Sequence, residues 1–359
     1  MTYMDKALTL AQKTLGSVSP NPAVGSIVVK DNTVVGQGWT QPPGQAHAEV
    51  MSLHQAGDRA KGATLYTTLE PCNHFGRTPP CTEAIIGAGI SQVCVAMIDP
   101  NPLVNQHGIS RLRDAGIKLE LGECKDTAAK LIEAYTKYIT TGYPFVTAKF
   151  AMSLDGKIAT RSGDSKWISS KASRAYVHKL RSQSDAVMVG INTVVIDNPR
   201  LTARDQFGNP LKNQPVRIIL DSKGKISPGA SLLSQPGRTM IITSTSARRQ
   251  STKEIHADFK TVSGEDDHVD LVKLMQILGE NDITSILVET GGILLGSLFD
   301  LRLVDKVIAF ISPTIIGGKN APSPVMGKGV SNMTNALRLE HPRTKAFGQD
   351  IAIIGYRGA

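Results

Sequence analysis

Short apolar runs alternate with segments of helical periodicity along most of the 359 residues, and that rhythm admits few folds. Met4, Leu8, Ala11 and Leu15 share one face of a helix over 4–15. The runs AVGSIVV (23–29) and TVVGQG (33–38) flank Lys30-Asp31-Asn32, which predicts a hairpin. A helix is expected from His47 to about Gln55, with Gly57 behind it. ATLYTTL (63–69) predicts a strand, PPCTEAIIGAG (79–89) a helix with proline near its start, and QVCVAMI (92–98) a buried strand. A helix near 106–115, a strand at 117–121 and a long helix at 126–140 follow. Strands that alternate with helices in this way make an α/β sandwich with helices on both faces.

Gly142-Tyr143-Pro144 interrupts the pattern, so the chain divides into domains at 1–142 and 143–359. The second domain shows strands at 145–151, 185–190, 216–220, 239–243, 285–289 and 305–312. Its helices are expected at 170–183, 269–279 and 293–301, giving a second α/β domain. No apolar run approaches the roughly 20 residues that span a bilayer. The first residues, MTYMDKALTLAQKTLGS, lack the regions of a signal peptide, so a cytoplasmic protein is expected.

Charge separates the halves. Residues 1–142 hold 12 basic and 12 acidic side chains, and the whole net charge of +9 falls in 143–359. A basic second half suits phosphorylated small molecules. A neutral first half does not suit nucleic acid, whose partners concentrate positive charge around the site they use. Four cysteines are too few for a disulfide scaffold. Cys94, in VCVAMI, and Cys124 read as small buried side chains.

The chemistry of the first half concentrates in His47-Ala48-Glu49, Pro71-Cys72 and Cys81. One imidazole and two thiolates leave a tetrahedral zinc with an open fourth position, the condition for a catalytic site. Zinc so held lowers the pKa of its bound water and makes hydroxide available near neutral pH. Glu49, two residues from His47, is placed to take the water's proton and deliver it to a ring nitrogen, then to a departing amine. The order H-x-E…P-C…C supplies the glutamate, itself no ligand, that a zinc deaminase needs. Both cysteines are expected at or near helix N-termini, where thiolate is favoured. A structural zinc clip would recruit a fourth ligand, for which His54 and His74 are available. Two rival readings follow from the same residues. One is a nucleic-acid base deaminase, such as a tRNA adenosine deaminase, with an accessory domain. The other is a zinc-stabilised nucleotide-binding protein, which would have no use for Glu49.

In 143–359 no G-x-G-x-x-G follows a strand. Instead SILVETGGILLGSLF (285–299) runs from a strand through Glu289 and Gly291-Gly292 into an apolar helix. Glycines at such a junction let a pyrophosphate approach backbone N–H groups.

With H-A-E and the long cysteine insert of PCNHFGRTPPC, the first half resembles the cytidine-deaminase-like superfamily. The commoner superfamily spacing is C-x-x-C. The longer insert and SPNPAVGSIVV (19–29) resemble the deaminase domain of the bacterial bifunctional riboflavin-biosynthesis enzymes. KFAMSLDGKIAT (149–160), GDSKWIS (163–169), LRSQSDAVMVGINTVVIDNPRLTAR (180–204) and VETGG resemble the same family's reductase domain, in order. The resemblance implies a three-layer deaminase sandwich followed by an α/β domain similar to dihydrofolate reductase. It implies zinc, on His47, Cys72 and Cys81, and NADPH as cofactors, with Glu49 catalytic. The implied substrate is 2,5-diamino-6-ribosylamino-4(3H)-pyrimidinone 5′-phosphate, with Asn21 and the segment around His74 contacting it. The cofactor would touch Ala151, Trp167, Thr193, Asp197, Ser222 and the loop Gly291, Gly292, Ile293, Leu294, Leu295, Gly296, Ser297. The ribose phosphate would meet Ser165, Arg181, Leu201 and Arg204, with Glu289 near the sugar. Reduction of the ribosyl group to ribityl needs an acid at the ring oxygen, for which Lys149, Asp197 and Glu289 are open alternatives. The family also implies a homo-oligomer, dimer or tetramer, without nucleic-acid or membrane partners.

Overall fold

A computed structural model describes residues 1–76, 78–247 and 255–358. The chain forms two compact units, Met1–Tyr143 and Pro144–Ala359. Among the described residues no helix is long and apolar enough to cross a membrane.

The first unit runs α1 (Tyr3–Gln12), β1 (Gly25–Lys30), β2 (Thr33–Trp39), α2 (Ala48–Ala56), β3 (Thr64–Thr67), α3 (Cys81–Gly87), β4 (Gln92–Val95), α4 (His107–Asp114), β5 (Lys118–Leu121), α5 (Lys125–Leu131) and α6 (Glu133–Thr141). Its sheet has the order β2-β1-β3-β4-β5, antiparallel up to β3 and parallel beyond it. The hairpin turns through Asp31 and Asn32 at φ 47° and 58°, the left-handed pair that a two-residue turn between right-twisted strands needs. Alternation along the strands sorts the side chains between two faces. Val28, Leu65 and Val93 pack under α2, α3 and α4 with Leu53, Ile85 and Leu112. Ile27, Val29 and Cys94 point the other way, onto Met4, Ala7 and Leu8 of α1 and Ala128 of α5. The result is the three-layer sandwich. Each fully buried aliphatic side chain contributes about 1.5–3 kcal/mol.

Two details of α2 fix its place. A Cβ on Gly36 would fall 2.1 Å from the Ser52 carbonyl oxygen, and one on Gly38 would fall 2.0 Å from that of Ala48. The helix backbone therefore lies directly on β2.

The long helix expected over 126–140 is broken. Ile132, at φ −108° and ψ 23°, leaves helical geometry and buries its side chain with Val24, Ala48 and Leu69. Cys94 is buried as expected; Cys124 is only half-buried, at the left-handed residue preceding α5.

The second unit runs β6 (Phe145–Ser153), α7 (Lys171–Ser182), β7 (Ala186–Gly190), α8 (Ile191–Asp197), β8 (Val216–Leu220), β9 (Thr239–Thr243), β10 (Asp258–Thr261), α9 (Leu271–Glu280), β11 (Ser285–Val288), α10 (Gly292–Asp300), β12 (Lys306–Ser312), β13 (Leu339–Phe347) and β14 (Asp350–Arg357). Its nine strands have the order β10-β9-β8-β7-β11-β6-β12-β14-β13. Pairing is parallel from β10 through β12, and β14 and β13 close the edge antiparallel. The apolar runs of β7 and β11 are those of strands covered on both faces, and β8 is buried likewise although Arg217 interrupts its run.

Candidate active sites

His47 is the extended residue that caps the start of α2, so its ring lies outside the helix while Glu49 sits in the first turn. Cys81 is the first residue of α3, as expected. Cys72 is not on a helix. It lies in the loop opposite the start of α3, where its sulfur accepts the Cys81 N–H at 3.4 Å and its carbonyl accepts that of Thr82 at 3.2 Å. His47 Nδ1 stands 3.7 Å from Cys72 Sγ and 3.3 Å from Cys81 Sγ. Zinc bonds of about 2.0 Å to nitrogen and 2.3 Å to sulfur, at tetrahedral angles, require donor separations of about 3.5 Å. The donor set therefore fits zinc. Among the described residues these three form the one such group, and neither His54 nor His74 joins it. A closed structural clip is not built here.

The electrostatics separate the roles. A hydrogen bond from the Cys81 thiol, together with those of His47 and the Cys81 N–H, brings Cys72 down to about 4, and the same sharing raises Cys81. The Cys72 hydrogen bond raises His47 against the opposing effect of burial. Glu49 is 4% exposed, and burial pushes its carboxyl up to about 7. It lies 3.6 Å from Cys81 Sγ, beside the donors without being one of them. A carboxyl poised near 7 both takes and returns protons at neutral pH.

Asn21 is half-buried on the turn from Val18, whose carbonyl accepts its N–H at 2.9 Å. His74 is half-buried, and its Nδ1 is buried with no hydrogen-bond partner among the described residues.

In the second unit a cavity of about 1050 Å³ opens at the C-terminal ends of β7, β8 and β11. Ligands of open α/β sheets bind at that edge. Lys149, Ala151, Ser165, Trp167, Arg181, Thr193, Asp197, Leu201, Arg204, Ser222 and Glu289 all line it, as do Gly291, Gly292, Ile293, Leu294 and Ser297. Leu295 and Gly296, expected in the cofactor loop, do not. Leu295 is fully buried in the core, and a Cβ on Gly296 would fall 2.0 Å from the Met326 carbonyl oxygen. They sit on the inner face of α10, because a helix cannot turn seven successive residues toward one ligand. Gly292 is also a close-packing residue, 2.5 Å from the Ser323 carbonyl oxygen at its missing Cβ, whereas Gly291 has nothing within 4 Å.

At the cavity wall Glu289 accepts Arg181 Nε at 2.6 Å and Nη2 at 3.1 Å, and Lys149 Nζ lies 3.8 Å away. Burial works to raise Glu289, but Arg181 and Lys149 outweigh it and hold the carboxyl below its usual range. Burial, aided by Arg181, lowers Lys149. Asp197, at the end of α8, accepts Ser165 Oγ at 3.3 Å through its side chain and Lys166 Nζ at 3.3 Å through its carbonyl. Arg174 stacks on Trp167 at 4.4 Å.

Sequence reasoning passed over two organisers. The Thr202 carbonyl accepts Arg181 Nη1 at 3.0 Å, and its hydroxyl accepts Arg204 Nε at 2.8 Å. Thr290 Oγ1 accepts the Gly190 N–H at 3.1 Å and lies 3.4 Å from Thr193 Oγ1, tying the glycine loop to the start of α8. Only their adjacency to Leu201 and Glu289 could have signalled them.

Such a pair of sites defines a class of two-domain enzymes that join a zinc-dependent deaminase to a reductase. Residues 1–97 match the family described as "Cytidine and deoxycytidylate deaminase zinc-binding region", and residues 144–353 match "RibD C-terminal domain". The chain is 42% identical over 353 residues to riboflavin biosynthesis protein RibD of Aquifex aeolicus, covering 98% of this chain and 96% of that one. The solved structure of Acinetobacter baumannii RibD, form 1, superposes with TM-score 0.88 at 38% identity, covering 99% and 98% of the two chains. A diaminohydroxyphosphoribosylaminopyrimidine deaminase/5-amino-6-(5-phosphoribosylamino)uracil reductase from Thermotoga maritima superposes with TM-score 0.86 at 34% identity, again over 99% and 98%. The chain belongs to the RibD family of riboflavin-biosynthesis enzymes. It is a bifunctional enzyme: a zinc-dependent deaminase of the diaminopyrimidinone ribotide, and an NADPH-dependent reductase of the resulting aminouracil ribotide.

Proposed function

We propose that deamination takes place at His47, Cys72, Cys81 and Glu49 in the first unit, and reduction in the cavity of the second, with the domain boundary at 142/143. The observation that carries the first assignment is the set of donor separations, 3.7 and 3.3 Å, with Glu49 beside the donors. Zinc bound there supplies Lewis acidity that makes water nucleophilic near neutral pH. Glu49 takes the water's proton, carries it to the pyrimidine ring nitrogen and returns one to the departing amine. Asn21 and His74 bind the nucleotide, His74 through the Nδ1 that has no partner among the described residues.

In the second unit NADPH supplies the hydride for C1′. Gly291, with its open backbone, would hold the pyrophosphate, and Ala151, Trp167, Thr193 and Ser222 would hold the rest of the cofactor. Arg181 and Arg204, aligned by Thr202, face the ribose phosphate together with Ser165 and Leu201. Of the three acids, Lys149 is favoured for the ring oxygen. Glu289 is committed to Arg181 in a two-pronged pair, whereas Lys149 carries a weakened hold on its proton and lines the cavity. The enzyme works as a homo-oligomer, a reading supported by the open apolar side chains of Met333 (82% exposed) and Ile351 (51% exposed) on a single copy. A reducing cytoplasm suits thiolate ligands.

The test is incubation of zinc-loaded enzyme with the diaminopyrimidinone ribotide, with and without NADPH, followed by mass spectrometry. Loss of the amino group without NADPH, then NADPH-dependent ribityl formation, is the expected sequence. Glu49→Gln should cut deamination by about 10²–10⁴-fold while zinc content and reduction of the deaminated substrate persist. Undiminished deamination by that variant would remove Glu49 from the mechanism.

A further inference from the structure

Helix α4 begins without a capping side chain of its own. Its N-cap residue, Gln106, is left-handed at φ 65° and makes no side-chain cap. The open donors at its start go instead to Glu70, in the segment that leads into Cys72. Glu70 Oε1 accepts the N–H groups of Gly108 at 3.0 Å and Ile109 at 3.1 Å. Its Oε2 accepts those of Gln106 at 3.0 Å and Asp99 at 3.2 Å. Four donors on two oxygens fill the acceptor capacity of a carboxylate, here only 3% exposed. Gly108 then closes on the same segment: a Cβ there would fall 1.9 Å from the Pro71 carbonyl oxygen. On its other side Cys72 is held by the start of α3.

We infer that Glu70 is the positioning residue of the metal centre. By anchoring Pro71-Cys72 to the start of α4 and to the turn at Asp99, it fixes the Cys72 thiolate at the separation from His47 that zinc requires. The inference depends on His47, Cys72 and Cys81 being the metal ligands. Glu70 belongs neither to the donor group nor to the proton path of Glu49, so its buried charge has no other use in the reaction. Outer partners that orient metal ligands commonly contribute 10–100-fold to metal affinity. A cap that served folding alone would stabilise the unit and leave the metal's surroundings unaltered.

Glu70→Gln in the full chain is nearly isosteric and turns an NH₂ group toward two N–H donors. Zinc affinity, measured against a chromophoric chelator, is expected to fall about 10–100-fold. The sulfur-to-metal and d–d bands of the cobalt(II)-substituted protein should shift, and deaminase kcat should fall with little change in KM. A cooperative melting transition of the first unit and a wild-type near-ultraviolet circular dichroism spectrum verify that the deaminase unit is folded, since reduction reports only on the second unit. Wild-type zinc affinity and an unaltered cobalt spectrum in folded Glu70→Gln protein would overturn the inference. If glutamine prevents folding, Glu70→Asp keeps the charge but withdraws both oxygens by one methylene, and the same two measurements decide. His47→Ala separates the two levels of the reasoning. Zinc affinity unchanged in that variant would overturn the metal site itself. Affinity lost in His47→Ala but kept in Glu70→Gln would overturn only the role of Glu70.

Discussion

Replacing Glu289 by glutamine removes one negative charge from between two buried cations. The Lys149 and Arg181 side chains are 15% and 13% exposed, so water compensates little of the loss. A unit pair at the 3.8 Å Lys149–Glu289 separation is worth about 4 kcal/mol at an effective dielectric constant of about 20. Breaking a buried pair from one side costs about 3–5 kcal/mol. Glutamine keeps one acceptor oxygen for Arg181, and Arg181 keeps the Thr202 carbonyl, so the lower figure, about 3 kcal/mol, applies. For a unit of this size that corresponds to a fall of about 6–12 °C in its melting temperature. Calorimetry on zinc-saturated protein reads it, with the second unit's transition assigned by its upward shift on adding NADPH. The pH dependence has a definite sign. Burial places the folded pKa of Lys149 below its unfolded value of about 10.4, so stability rises with pH between those two values. Glu289 opposes that lowering, so its removal moves the folded value further down and opens the window at lower pH. Glu289→Gln should therefore recover part of its deficit as pH rises toward the unfolded lysine value of about 10.4. A shift under about 2 °C at pH 7, or a deficit that grows toward pH 9, would refute the electrostatic account.

Two further outcomes test neighbouring claims. Gly291→Ala, with open space around it, should keep the melting temperature and weaken NADPH binding; Gly296→Ala, against the Met326 carbonyl, should cost about 1–3 kcal/mol of stability. Equal melting temperatures for the two would contradict the division of the glycine loop. Light scattering on purified enzyme should give the mass of a dimer or tetramer, and a monomer's mass would refute the oligomer.

The legible parts of the chain were those where one residue type carries one job. His47, Cys72 and Cys81 could be read because metal ligation restricts the donors, and Asp31-Asn32 because few residues accept the left-handed turn. Helix α8 is only seven residues long, too short for a periodicity to separate it from the end of β7. Strand β13 is exposed over most of its length and carries Pro342 where its register shifts, so it lacks the alternation that marks a strand. The split at Ile132 depends on a core formed by residues more than a hundred positions away, such as Val24. Glu70 escaped for the same reason: three of its four donors lie at 106, 108 and 109, beyond any local pattern. Leu295 and Gly296 pack inward, which a contiguous segment of sequence does not reveal.

The contact of α2 with Gly36 and Gly38 limits how this enzyme could be retargeted. The helix that carries Glu49 rests on strand backbone, so the usual route of trimming a supporting side chain to let a helix slide does not exist at these positions. If Asn21 and His74 bind the nucleotide as proposed, a larger or differently shaped base would be accommodated by the segments around them. Library design for altered base selectivity belongs there, with α2 and β2 left untouched.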